Sequence, residues 1–276
     1  MQYFYSISEI KKFLPSSGSV PAVVECNDLK DYVCKYGKVH DLLNEYLAYS
    51  FAEIWKIPTP PFCFVSVNEN HVPRNVSKNK FIYTCFATEY LEQAKDINDY
   101  LLTWKDSPNL IKQISNKRDF LLVGLFDLWL CNEDRNHNHS NLMLNPVDNT
   151  YIITAIDHVN IFNTNSLFEG FNDKNKLVEL TDNECIISSN FTKMFFTQKD
   201  FTKELIDELI EKFYICVENC KESFESIVEN VPKDWNIEED RYELIASQIF
   251  NSDWAQQTEQ LFRLILADTL KNELKE

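Results

Sequence analysis

In Asp134-Arg135-Asn136-His137-Asn138-His139-Ser140-Asn141 an acidic residue opens a polar run and a carboxamide closes it; the apolar stretch 151–156 then ends in a second acid, Asp157. Side chains of these types supply the hard oxygen donors that Mg²⁺ takes. In-line phosphoryl transfer needs an oriented acceptor hydroxyl and a neutralised triphosphate. On that chemistry Asp134 orients or deprotonates the acceptor hydroxyl, Asn141 holds a metal ion, and Asp157 bridges metal to phosphate. Asn138 is the alternative carboxamide. The competing reading is an ordinary polar turn, because Asp and Asn favour turns through local side-chain hydrogen bonds.

A triphosphate also calls for a fixed cation. Lys35 stands among β-formers in Tyr32-Val33-Cys34-Lys35-Tyr36, which reads as a strand. Leu43, Leu47, Phe51 and Ile54 then recur at helical spacing, so residues 41–55 read as a helix with a buried face and Glu45 in its first turns. A strand Lys paired with a helix Glu, upstream of a catalytic loop, is how kinases hold the inner phosphates. Taken singly, Glu45 could merely complement the helix dipole and Lys35 could be an edge charge. The ordered set Lys35, Glu45, Asp134, Asn141, Asp157 argues for chemistry.

The elements that must position these residues follow from hydrophobic periodicity. Residues 20–26 and 32–36 form a hairpin, and 62–67 and 80–88 are further strands. After Glu92 the pattern turns helical, and 118–130 is an almost wholly apolar helix. Segment 160–190 is polar and irregular, the place for an activation-loop equivalent. Residues 201–231 and 240–274 read as long amphipathic helices.

These segments resemble the HipA-like kinases. Ser16-Ser17-Gly18-Ser19-Val20-Pro21, Tyr32-Val33-Cys34-Lys35, Asn44-Glu45-Tyr46-Leu47-Ala48 and Ile57-Pro58-Thr59-Pro60-Pro61 resemble that family's small lobe. Phe86-Ala87-Thr88-Glu89-Tyr90-Leu91 resembles its hinge, and Asn132-Glu133-Asp134-Arg135 with Asn141-Leu142 and Ile156-Asp157-His158 its catalytic and metal segments. The resemblance implies an α+β, bilobal protein-kinase-like fold, with a β-rich small lobe over 1–92 and a mainly helical large lobe over 93–276. It implies ATP and Mg²⁺ as cofactors, the nucleotide held by Ser16, Ser17, Gly18, Ser19, Lys35, Glu89, Tyr90 and Leu91. It further implies transfer to a Ser or Thr hydroxyl of a protein, such as a translation factor or an aminoacyl-tRNA synthetase. A toxin-antitoxin role, with an antitoxin partner and autophosphorylation in the serine loop, belongs to the same expectation.

Two departures temper this. The phosphate-cradling loop is serine-rich with one Gly, and Val159 stands where the metal-binding triplet usually has Gly; the chain has only 4 glycines. Such loops use Gly so that backbone N–H groups approach phosphate closely. A non-catalytic pseudokinase or antitoxin-like binding module is therefore one rival reading, and a lipid or small-molecule kinase another.

The formal net charge of −16 argues against a nucleic-acid backbone as partner, since that needs clustered Lys and Arg. No apolar run is long enough to span a membrane, the N-terminus lacks signal-peptide features, and the 8 cysteines are dispersed without a Cys-x-x-Cys pair. Together these point to a cytoplasmic protein with reduced thiols. His137 and His139 are too few to make a transition-metal site without further ligands. Cys216 and Cys220 read as an apolar helix face, Trp235 as the anchor of a helix junction, and His158 either as support for Asp157 or as filler between lobes.

Overall fold

The computed structural model describes residues 1–15, 20–104, 108–136, 138–165, 179–181 and 184–271. Six short strands rich in β-branched, aromatic and Cys residues form one sheet: β1 (Tyr3–Tyr5), β2 (Lys12–Phe13), β3 (Ala22–Glu25), β4 (Asp31–Lys35), β5 (Phe62–Ser66) and β6 (Cys85–Glu89), in the order β1-β5-β6-β4-β3-β2. The sheet rolls up, because past β1 the chain runs along β3: Ser6 bridges Cys26, and the Ile7 and Lys11 N–H groups donate to Glu25 O (3.0 Å) and Val23 O (2.9 Å). Closure removes an exposed edge. The enclosed cluster mixes small residues with Tyr32 and Phe81, and in it Cys34 and Cys63 flank Ala87 in register. Expected strand 80–88 starts only at Cys85, since Lys78–Phe81 makes a 3-10 turn that puts Phe81 4.1 Å from the Tyr36 ring.

Helix α1 (Val39–Trp55) follows β4 and is buried throughout 42–52, not on one face alone. Its sheet side sets Tyr46 against Phe64 (5.1 Å) and Tyr49 against Phe86 (5.0 Å). Its other side sets Phe51 against Trp129 (5.5 Å) and Trp55 against Phe213 (5.8 Å). A helix apolar all round is one held between two layers.

The rest is mainly helical: α2 (Ile97–Trp104), α3 (Pro108–Lys112), α4 (Lys117–Leu130), α5 (Ile161–Asn165), α6 (Asn190–Phe195), α7 (Lys203–Glu229), α8 (Glu239–Ile249) and α9 (Ser252–Lys271). A small sheet, β7 (Lys95–Asp96), β8 (Leu142–Val147) and β9 (Thr150–Ala155), sits among them. The expected helix 240–274 is two helices. Asn251 breaks it, its side-chain oxygen accepting the Asp253 N–H at 2.8 Å. The turn brings Trp254 back onto α4, where its indole donates to Trp129 O (2.9 Å) and the Trp129 indole donates to Ile249 O at the end of α8 (2.8 Å). Of the expected activation segment, 166–178 and 182–183 lie outside the described residues.

Trp235 does more than join helices. Its indole N–H donates to Thr84 O (2.7 Å), its ring packs edge-on against Phe64, and Asp234 accepts the Thr84 N–H (2.6 Å), so the turn after α7 grips the start of β6.

Candidate active site

The two-residue turn of the β8–β9 hairpin holds Asp148 in the left-handed region, at φ 52°. Its register pairs Leu142 with Ala155, so Asn141 and Ile156 leave the hairpin side by side and the Ile156 N–H donates to Asn141 O (3.0 Å). Asn141 and Asp157, sixteen positions apart, thereby become neighbours. Both take left-handed backbone, φ 46° and 55°, which turns their side chains out of the strands. Leu142 and Leu144 alternate inward to the core, while Met143 faces a cleft.

Asp134 reaches this place from the end of α4. The Asn132 amide donates to Asp127 (3.0 Å), and Asn136 ties the loop on itself by accepting the Asn138 and His139 N–H groups at 2.9 and 3.2 Å. The Asn141 amide nitrogen then donates to Asp134 Oδ2 at 3.0 Å, which leaves the Asn141 amide oxygen free to act as a donor to a cation. Asn138 lines the same cleft, with no hydrogen bond to Asp134 among the described residues. Asn141 is thus the better placed of the two carboxamides.

On β4, Val33 and Lys35 share the face opposite Tyr32 and Cys34. Lys35 Nζ lies between the Glu45 carboxylate and Asp157 Oδ1, the latter at 2.5 Å. Burial works against the Lys35 ammonium, but Asp157 and Glu45 outweigh it and hold its pKa above the ordinary value. Burial pushes the Glu45 carboxyl up to about 7 against the pull of Lys35. Asp157 goes the other way: Lys35 overcomes its burial and holds it below the usual range. The His158 N–H also donates to Glu45 (3.1 Å), and the Asn44 amide to Val159 O (2.8 Å), which pins α1 to the Asp157 segment.

These parts line one cleft of about 600 Å³ between the rolled sheet and the helical region, the size of a small-molecule site. Lys35, Asp134, Asn138, Asn141 and Asp157 form its polar end, and Glu89, Tyr90 and Leu91 its other rim; Glu45 stands behind Lys35, out of the cleft. Val33, Met143 and Ile156 give it apolar walls. Among the described residues the Leu91 N–H has no acceptor, whereas the Glu89 and Tyr90 N–H groups are used by Pro61 O and Asp31 O. Ser16, Ser17, Gly18 and Ser19 lie outside the described residues, although Leu14, Pro15 and Pro21 on either side line the cleft. No group of three or more His, Cys, Asp or Glu among the described residues could hold a metal; Asp157 with Asn141 is the donor pair available.

Sequence reasoning passed over Arg135 and Asp127, both fully buried. Arg135 donates to Asp127 Oδ1 (2.5 Å) and to Ile156 O (2.6 Å). The signal was there: Asp127 is an acid inside an otherwise apolar helical run, and a buried charge needs a partner nearby. His158, buried edge-on to Tyr49 and Phe126, fills the interface as well as supporting its neighbours.

Solved structures resemble this arrangement. The Helicobacter pylori proinflammatory kinase CtkA matches with a TM-score of 0.56 at 16% identity, over 92% of this chain and 96% of that one. A Golgi casein kinase matches with a TM-score of 0.50 at 11% identity, over 94% of this chain and 73% of that one. At such identities the likeness speaks for the fold, which is kinase-like. Among curated proteins none matches. The sequence pattern of the HipA-like kinases, however, matches residues 7–263, nearly the whole length, and the chain belongs to that family.

Proposed function

We propose that this kinase-family protein is an active, ATP- and Mg²⁺-dependent kinase that phosphorylates Ser or Thr of a protein. The observation that carries the reading is Lys35 held between Glu45 and Asp157 in the cleft where Asn141 meets Asp134. Lys35 presents a cation that stays charged, suited to phosphate oxygens. Asp134 accepts the proton of the acceptor hydroxyl and orients it. The Asn141 and Asp157 oxygens fit a hard cation; when bound, Mg²⁺ supplies neutralisation of charge on the phosphates. Leu91 offers its free N–H to an adenine acceptor, and Val33, Met143 and Ile156 offer apolar walls to the base. Ser16, Ser17, Gly18 and Ser19 belong to the proposal as the phosphate loop and as autophosphorylation sites. The formal net charge of −16 favours an acceptor or antitoxin with a basic face. A translation factor or aminoacyl-tRNA synthetase as acceptor, a toxin-antitoxin setting and a cytoplasmic location are parts of the same proposal.

Incubation with γ-labelled ATP, alone and with cell lysate, tests it. Label on protein that disappears in Asp134→Ala supports the reading. Nucleotide binding without any transfer would favour the binding-module alternative, and label confined to lipid or small molecules the other.

A further inference from the structure

Arg135, next to Asp134, sends its guanidinium away from the cleft into the protein. Nη1 bonds Asp127, and Nη2 bonds Ile156 O and lies 3.2 Å from His158 Nε2. Arginine has no acceptor, so Nε2 accepts and the ring proton sits on Nδ1. The His158 ring is then held between Tyr49 (5.0 Å) and Phe126 (6.1 Å), while its backbone N–H holds Glu45. One buried cation therefore links the residue after Asp134 to the residues on both sides of Asp157.

Stability does not explain this arrangement. Burying a carboxylate and a guanidinium costs several kcal/mol per ion, and apolar residues of similar volume commonly fill such a space at no loss. Nor is the cost fully offset here: Asp127 Oδ2, Arg135 Nε and His158 Nδ1 find no hydrogen-bond partner among the described residues. Apart from its counter-ion, every bond Arg135 makes among the described residues goes to the segment that carries Asp157.

We propose that Arg135 is a positioning residue that fixes the separation of Asp134 and Asp157 by clamping the two backbone segments to one buried guanidinium, with Asp127 as counter-ion and His158 as second acceptor. This rests on the phosphoryl-transfer reading above. Phosphoryl transfer is mostly positioning and charge neutralisation, and a misplacement of about 1 Å costs about 10²-fold in rate.

The double variant Asp127→Leu/Arg135→Met removes both charges and keeps the volume. It is expected to fold, with a melting temperature below that of wild type, because replacing the pair itself is close to neutral while the Asn132 amide, Ile156 O and His158 Nε2 lose their partners. Its kcat should fall on the order of 100-fold, with KM for nucleotide changed less than about threefold. The gain in ADP affinity on adding Mg²⁺ should shrink, while ADP affinity without metal holds. His158→Phe keeps a ring edge-on to Tyr49 and Phe126, removes the acceptor, and should lose on the order of tenfold in kcat. A folded double variant with kcat within about threefold of wild type would overturn the proposal; so would unfolding of both variants, which would make the cluster structural only. If wild type transfers no phosphate, the phosphoryl-transfer reading fails by itself. The Mg²⁺-dependent ADP affinity then decides the positioning role, an unchanged gain in the double variant refuting it.

Discussion

Lys35→Met leaves Glu45 as a buried carboxylate, 1% exposed, with the His158 N–H as its remaining described donor and the Asp157 carboxylate beside it. Breaking a buried pair by removing one member costs about 3–5 kcal/mol. The cost has a ceiling, since the carboxyl can take up a proton. With Lys35 in place burial already holds this carboxyl at about 7, so relative to wild type its protonation at pH 9 costs about 3 kcal/mol at 1.36 kcal/mol per pH unit. For a chain of this size that lowers the melting temperature by roughly 6–12 °C. The sign with pH is fixed. Without Lys35 the folded carboxyl titrates higher still, so wild type gives up the proton first and the deficit of the variant grows as pH rises above 7. At pH 7 the deficit shrinks to about 0.4 kcal/mol. The double variant Lys35→Met/Glu45→Gln, with no charge at position 45 to bury, should recover most of the loss at pH 9. Differential scanning fluorimetry of the single and double variants at pH 7 and 9 reads all of this, and added Mg-ATP should raise the melting temperature of wild type only. A Lys35→Met deficit equal at the two pH values, or not relieved by Glu45→Gln, would refute the argument that Lys35 acts as the counter-charge to Glu45.

Asp134→Ala should keep the thermal shift given by Mg-ATP and lose at least about 100-fold in phosphoryl transfer, because general-base assistance contributes about that much; turnover within tenfold of wild type would count against its role. Asp157→Ala should abolish the metal-dependent part of nucleotide affinity, measured by titration with and without Mg²⁺, and an unaltered metal effect would remove Asp157 from the donor pair. Trp235→Phe keeps an aromatic against Phe64 but leaves Thr84 O without its indole donor, so a loss of about 1–3 kcal/mol in chemical denaturation is expected. Gly124→Ala should destabilise by about 1–3 kcal/mol despite a better helix former, because the added methyl would run into the buried Ile187 side chain; a stabilised variant would show that the α4 contact can yield.

The elements legible in the sequence were those whose signal is local. The hairpin of β3 and β4, helix α1 and helix α4 each carry their own periodicity or apolar run, and the structure has them within a few residues of the expected bounds. What escaped depends on contacts far along the chain. That α1 is buried on all sides follows from Phe213 and Phe224 on α7 meeting Trp55 and Phe51, and no window around α1 contains them. The closing of the six-stranded sheet rests on single bonds across the Ser6–Cys26 bridge, the Ile7 N–H to Glu25 O and the Asn27 N–H to Tyr5 O, in a stretch with no strand pattern. The break between α8 and α9 had a local sign in Asn251-Ser252-Asp253, but the apolar spacing on both sides continues through it and hid the cap.

For the site, residue type and order sufficed where the hairpin register does the geometric work. An Asn before β8 and an Asp after β9 have to meet once the two strands pair, and Lys35 can then reach Asp157 from the sheet above. Asn138 and Asn141 could not be separated on composition. They differ by the register, which sets the Asn141 backbone against Ile156 and its amide on Asp134, while Asn138 is tied to the Asn136 turn through its backbone N–H. The buried Arg135 escaped for the opposite reason. Reading a motif by its solvent-facing donors assigns a charged residue beside Asp134 to the cleft, yet its guanidinium points inward, where Asp127 supplies the only carboxylate that pairs with it among the described residues. A charge of each sign with no solvent to face is found from the helix side, by asking what Asp127 is doing in an apolar run, rather than from the loop.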